Sequence, residues 1–112
     1  MLPLPIDEAE AKLNLNVTWS DEDTDAKIYY TYSSAKAQID DYAGEGEVDY
    51  NTDILAKQLL KDLARYIWND CRDEFEPRFQ HEIIKFRNDR MVRLYDSERQ
   101  MGEGETDTLP DV

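Results

Sequence analysis

The sequence predicts a mainly α protein, a small four-helix bundle-like subunit with a long second helix. Three observations predict it. Ile28, Tyr32, Ala35, Ile39 and Tyr42 recur at spacings of 4, 3, 4 and 3, within one arc of a helical wheel. Ala56, Leu60, Leu63, Ile67 and Cys71 make a second stripe of the same period, and no alternating run forms a persuasive strand pair. A chain of 112 residues holds one modest core and is too short for two domains.

The first helix is expected from about Ile6 to Leu13, with Pro5 near its first turn, where a missing N–H is harmless. The loop "NLNVTW" then carries Leu15, Val17 and Trp19 back onto the core. "SDEDTDAKIY" opens the second helix, about Asp21 to Ala43 and about 34 Å long at ~1.5 Å per residue. Its alternate acids Asp21, Asp23 and Asp25 match the opening of a calcium loop. However, Ala26 stands where the sharp turn needs glycine, and Tyr32 where the bidentate glutamate belongs. A helix start explains more of the residues: Ser20 as N-cap to the N–H of Asp23, with acids at the positive end of the helix dipole. Gly44 is the stop.

The loop "GEGEVDYN" follows, and Asn51 or Thr52 is the expected cap of a third helix running from about 53 to 72. Leu55, Leu59 and Tyr66 widen its stripe on one side, and Ala64 and Trp68 on the other. Gln58, Lys61, Asp62, Arg65, Asn69 and Arg72 leave only a narrow polar strip. A helix apolar over more than half its circumference must be covered on two sides, by the other helices and by a second subunit. A fourth helix, about 77 to 95, carries Phe75, Phe79, Ile83 and Phe86 as its stripe. Arg90 stands at the next stripe position, and Met91, Leu94 and Tyr95 lie on a different face, so the helix is expected to change partners near Asn88. Residues 1–101 read as the helical domain and 102–112 as an acidic, flexible C-terminal tail.

The net charge is −13 and is unevenly spread. Residues 1–53 hold 13 acids against 3 bases, residues 54–101 hold 9 against 10, and residues 102–112 hold 4 against none. Such segregation suits a surface that repels something, or acidic and basic faces that attract each other between copies. No apolar run reaches the length of a membrane span, and the N-terminus lacks the secretory pattern, so a soluble protein made in the cytosol is expected. Cys71 reads as a core thiol and His81 as a solvated side chain with no second ligand beside it. Neither a phosphate-cradling loop nor a nucleophile–base pair is present, so no enzyme, cofactor or metal site is expected. The bases of the fourth helix are interleaved with acids, which argues against a DNA-binding stripe and for ion pairs between subunits. Tyr30 projects away from the buried stripe of the second helix, an amphipathic ring placed as an interface anchor.

"IDEAEAKLNL", "DEDTDAKIYYTYSSAKAQIDDYAG" and "LLKDLARYIWNDCRDEFEPRFQHEIIKFRNDR" together resemble the head-to-tail connector, or adaptor, proteins of long-tailed bacteriophages. The likeness covers about residues 6–95, and its most distinctive part is "RYIWNDCRDEFEPRF". It implies a non-enzymatic subunit of the virion neck, assembled in the host cytoplasm as a ring, commonly a dodecamer. Such a ring docks on the portal protein, extends the DNA channel and offers a surface to the stopper or tail-completion protein. On that basis Tyr30, Trp68, Arg90, Met91, Arg93, Leu94 and Tyr95 are expected at subunit or portal contacts. Asp40, Asp41, Glu45, Glu47 and Asp49 are expected to border the channel, where carboxylates repel DNA phosphates and let the duplex pass without binding. The competing reading is a small acidic helical regulator that binds a cytosolic protein.

Overall fold

The computed structural model describes residues 4–44 and 46–106, with side chains as far as residue 96. Helix α1 is Glu8–Asn14, α2 is Glu22–Ala43, α3 is Ile54–Trp68 and α4 is Phe75–Thr106, with a 3-10 turn at Arg72–Glu74 leading into α4. Among the described residues there is no strand.

Each boundary has a local cause, and several differ from the expected one. Asp21, and not Ser20, caps α2: its carboxylate accepts from the Thr24 N–H at 2.8 Å and from the Thr24 hydroxyl at 2.9 Å. Ser20 instead accepts from the ammonium of Lys12. Asp53, and not Asn51 or Thr52, caps α3 by accepting from the Ala56 N–H at 3.0 Å. An aspartate reaches the free N–H two or three residues on as well as serine does, so adjacent cap-competent residues leave sequence reasoning one or two positions adrift.

Two helices end in left-handed residues that are not glycine. After α1, Asn16 takes φ 60, while the N–H of Val17 reaches back to Lys12 O at 2.9 Å. After α3, Asp70 takes φ 59, while the N–H of Cys71 reaches Tyr66 O at 2.8 Å. Both are Schellman closures, in which a left-handed residue returns the chain to the last orphan carbonyls. The third helix therefore stops four residues short of its expected end, and Cys71 is half-buried beyond it instead of lying on its stripe.

The core lies between α2, α3 and the first half of α4, with Tyr32, Ile39, Leu59, Leu60, Leu63, Phe75 and Phe86 fully buried. Tyr32 keeps its hydroxyl satisfied: it accepts from Asn14 Nδ2 at 2.8 Å and donates to Ala11 O at 3.0 Å, which fastens α1 to α2. Glu10 adds a second fastening, accepting from Lys57 and Lys61 at 3.2 Å each. Hydrogen bonds from these two lysines hold its carboxyl below the ordinary glutamate range. Leu15 and Val17 return to the core as expected, whereas Trp19 is half exposed, with its indole N–H on the Thr24 hydroxyl at 3.0 Å.

α3 meets α2, α4 and α1, so its apolar circumference is covered largely within one chain. The need for a neighbouring subunit inferred from that helix is removed, apart from Ile54 at its first position, which is 83% exposed. Near the start of α4, Phe79 leaves helical geometry (φ −110, ψ 17). There its ring stacks on Phe75 with centroids 4.6 Å apart and meets Tyr66 edge-on at 5.6 Å. Beyond Phe79 α4 runs on for about 40 Å of helix, which accounts for much of the 63 Å extent of a molecule only 30 Å by 17 Å across. It continues through Thr106, so the segment expected as a flexible tail begins inside this helix, and residues 107–112 lie outside the described residues.

Candidate interaction surface

The buried stripe of α4 does not leave the core at Asn88, contrary to the sequence pattern. It changes from apolar to polar. Arg90 is only 7% exposed, and its guanidinium donates to the carbonyl of Glu47 at 3.3 Å. One turn on, Arg93 donates to the Asp53 carboxylate at 2.9 Å. Gly46 makes the first contact possible: a Cβ there would stand 3.3 Å from the Arg90 guanidinium, and the residue has φ 84. Two arginine arms thus tie the acidic loop and the start of α3 to α4, because guanidinium groups reach carbonyls and carboxylates that a short apolar side chain could not satisfy.

The opposite side of α4 is apolar and faces solvent. Ile84 is 49% exposed, Met91 and Val92 are each 59% exposed, and Tyr95 is 61% exposed. Ile84, Asn88, Met91 and Tyr95 follow spacings of 4, 3 and 4, which places them in one outward stripe. Val92 stands beside it and forms, with Ile54, Thr52 and Arg93, the walls of a shallow groove of about 470 Å³. A monomeric surface does not usually carry several large apolar side chains in a row.

The residues expected at contacts between subunits divide into two sets. Met91 and Tyr95 lie on the outward face, Leu94 is at its edge, 3.7 Å from where a Cβ of Gly46 would stand, and Tyr30 is 70% exposed on α2. Trp68, Arg90 and Arg93 are engaged within the chain. Trp68 is partly buried beneath the Lys27 ammonium, 4.4 Å from its ring centroid, and the two arginines serve the loop. Ile54, Ile84 and Val92 were not singled out from sequence, and for Ile84 the signal was present: it stands seven residues before Met91, two helical turns away.

The acids divide as well. Asp40 is held inside, accepting from the Tyr50 hydroxyl at 2.6 Å and from Lys36 at 2.8 Å. Burial and that neighbouring carboxylate push the Tyr50 phenol far above its ordinary range. Asp41, Glu47 and Asp49 are exposed, although Asp49 also accepts from the Asn51 N–H at 3.0 Å, and Glu45 lies outside the described residues. Asp21 caps α2 and Asp25 pairs with Lys12 at 3.2 Å, so the aspartates of the calcium-like opening are turned to separate tasks. The Thr24 N–H holds the Asp21 carboxyl below its usual value.

A polar lattice ties α2 to the start of α4. Gln38 donates to the Tyr42 hydroxyl at 2.5 Å, Tyr42 donates to Glu76 at 2.8 Å, and Arg72 donates to Gln38 at 2.8 Å. Burial, with the Glu76 carboxylate adding to it, pushes the Tyr42 phenol up to about 12. Beside this lattice a groove of about 580 Å³ runs between the two helices, walled by Asp41, Ile83, Ile84 and Arg87. His81 is exposed on the outer side of α4. Among the described residues no group of three or more metal-ligating side chains is brought together, and no helix is long and apolar enough to cross a membrane. Comparison with known proteins gives no match, whether to a family model, to a curated protein or to a solved structure.

Proposed function

We propose that this protein is a structural, non-enzymatic subunit of the bacteriophage neck: a ring-forming head-to-tail adaptor that docks on the portal protein and carries the DNA channel toward the stopper or tail-completion protein. The observation that carries the assembly half of this reading is the outward apolar side of α4, where Ile84, Met91, Val92 and Tyr95 stand in solvent on a helix whose other side is already occupied. Burying such a face against sister copies or the portal removes it from water. The neck-specific half rests on the resemblance of residues 6–95 to the connector family, with "RYIWNDCRDEFEPRF" as its most distinctive block.

The acidic balance supports passage of DNA over retention of it. In a ring, commonly of twelve copies, Glu47 and Asp49 are the described acids left to border the channel, whereas Asp40 is committed to Tyr50 and Asp41 shares a groove with Arg87. Carboxylates within about 8 Å of the duplex repel its phosphates at physiological salt. The ring would be assembled in the host cytoplasm and end in the virion.

The self-covered α3 favours a competing reading, a small acidic helical regulator that works as a monomer or dimer on a cytosolic protein. Native mass spectrometry and negative-stain imaging of the purified chain, alone and with the portal protein, separate the two. Closed rings, or a ring seated on the portal, are the expected result. A compact monomer that no portal recruits would refute the adaptor reading.

A further inference from the structure

α4 is not the only helix with an outward stripe. On α2, Tyr30, Ser34, Ala37 and Asp41 follow the same spacings of 4, 3 and 4 as Ile84, Asn88, Met91 and Tyr95 on α4. The two stripes are complementary. That of α4 carries large side chains, whereas the centre of the α2 stripe is small, so ridges can enter a shallow strip. Their charges are opposed too: among the described residues Arg87 has no ion pair within the chain, whereas Lys85 pairs with Asp89 and Arg93 with Asp53, and Asp41 is the acid of the α2 stripe. Two copies of α2 facing each other would set Asp41 and the acids of the first turn against their own kind; α2 against α4 would not.

We propose that the outward face of α4 in one copy packs antiparallel on the outward face of α2 in a neighbouring copy, with Arg87 beside Asp41, Met91 over Ala37 and Tyr95 over Ser33 and Ser34. The proposal rests on the reading that copies associate, and it names the surfaces that meet. The register follows from helix geometry. With Arg87 set beside Asp41, one turn forward along α4 and one turn back along α2 bring Met91 to Ala37, and a further turn brings Tyr95 to the serines. Within one chain Arg87 and Asp41 wall the same groove, yet no ion pair joins them among the described residues, so each has its charge to offer a neighbour. The contact is short: Ile84 to Tyr95 spans about 17 Å of helix, about three turns. A single contact of this kind is weak. Closing a ring, in which every copy makes it twice, turns weak contacts into a stable assembly.

The test uses full-length chains in which Cys71→Ser removes the native thiol. Chains carrying Ala37→Cys alone are mixed with chains carrying Met91→Cys alone and oxidised, and self-association is followed in parallel by sedimentation. The expected result is a disulfide-linked 37–91 heterodimer, identified by peptide mass, that is absent when Ala37→Cys is mixed with Glu82→Cys. Arg87→Glu should weaken association about two- to fivefold, the range of an exposed ion pair, and Asp41→Arg in the same chain should restore it. Circular dichroism confirms that each variant is folded. Association that persists without the 37–91 link and ignores the charge reversal overturns this contact and leaves the adaptor reading standing. A chain that stays monomeric at every concentration and with the portal overturns both.

Discussion

Asp53 performs two tasks with one carboxylate, and its removal has a calculable cost. One oxygen caps α3 through the Ala56 N–H at 3.0 Å, and the other accepts from Arg93 at 2.9 Å, in a side chain only 7% exposed. Losing an N-cap costs about 1 kcal/mol. The ion pair contributes less than its geometry suggests, because the Arg93 side chain is 58% exposed and solvent screens it; about 0.5 kcal/mol is a fair allowance. Asp53→Ala should therefore destabilise the fold by about 1.5 kcal/mol, or about 6 °C in Tm for a chain of this size. Asp53→Asn keeps an oxygen for the cap and loses only the charge, so it should cost about a third as much. Thermal unfolding followed by far-ultraviolet circular dichroism gives both values, and a cycle with Arg93→Ala isolates the coupling at about 0.5 kcal/mol. If Asp53→Asn proved as damaging as Asp53→Ala, the cap would not be the dominant task. If Asp53→Ala shifted Tm by less than about 2 °C, neither contact would hold in solution.

Three further outcomes are expected. Phe86→Ala, at a position with no exposed surface, should cost about 3–5 kcal/mol and lower the urea midpoint of unfolding severely, since a domain of this kind has about 5–15 kcal/mol to lose. Tyr42 binds its proton more tightly when folded (about 12) than when unfolded (10.0), so the stability it contributes is complete below pH 10 and is lost as pH rises toward 12. Tyr42→Phe should flatten that part of the stability–pH curve while leaving its acid side unchanged. Replacing Glu47 and Asp49 together with lysine should leave the helical circular dichroism spectrum intact and impair DNA passage, measured as infectivity of particles built with the variant; unaltered infectivity would remove the channel-lining role.

Helix existence and period were legible in the sequence, because burial of a stripe leaves a repeat that solvent exposure does not. Ile28, Tyr32, Ala35 and Ile39 are all buried on α2, as their spacing requires. What escaped was chemistry that depends on reach. Arg90 looked like the end of a core stripe, yet its long side chain continues that stripe by finding the Glu47 carbonyl across the loop. Asp53 looked like one acid among many, although an aspartate three residues before Ala56 is a cap signal as good as that of Thr52. Asp70 and Asn16 ended helices without the glycine that a stop signal leads one to seek. The outward face of α4 was half legible: Met91, Leu94 and Tyr95 were off the stripe by spacing alone, whereas Ile84 sat beside Ile83 and was hidden by it.

The tether from Tyr32 to Ala11 and Asn14 has a dynamic consequence. Seven residues are too few for a helix to persist in water, so α1 holds its shape on loan from the phenol of α2 and the two lysines of α3. It should peel off as a unit long before the rest melts, and its amide protons should exchange with solvent orders of magnitude faster than those of Leu59 to Leu63. Whatever grips the first residues of this protein would thus hold a latch and not a wall.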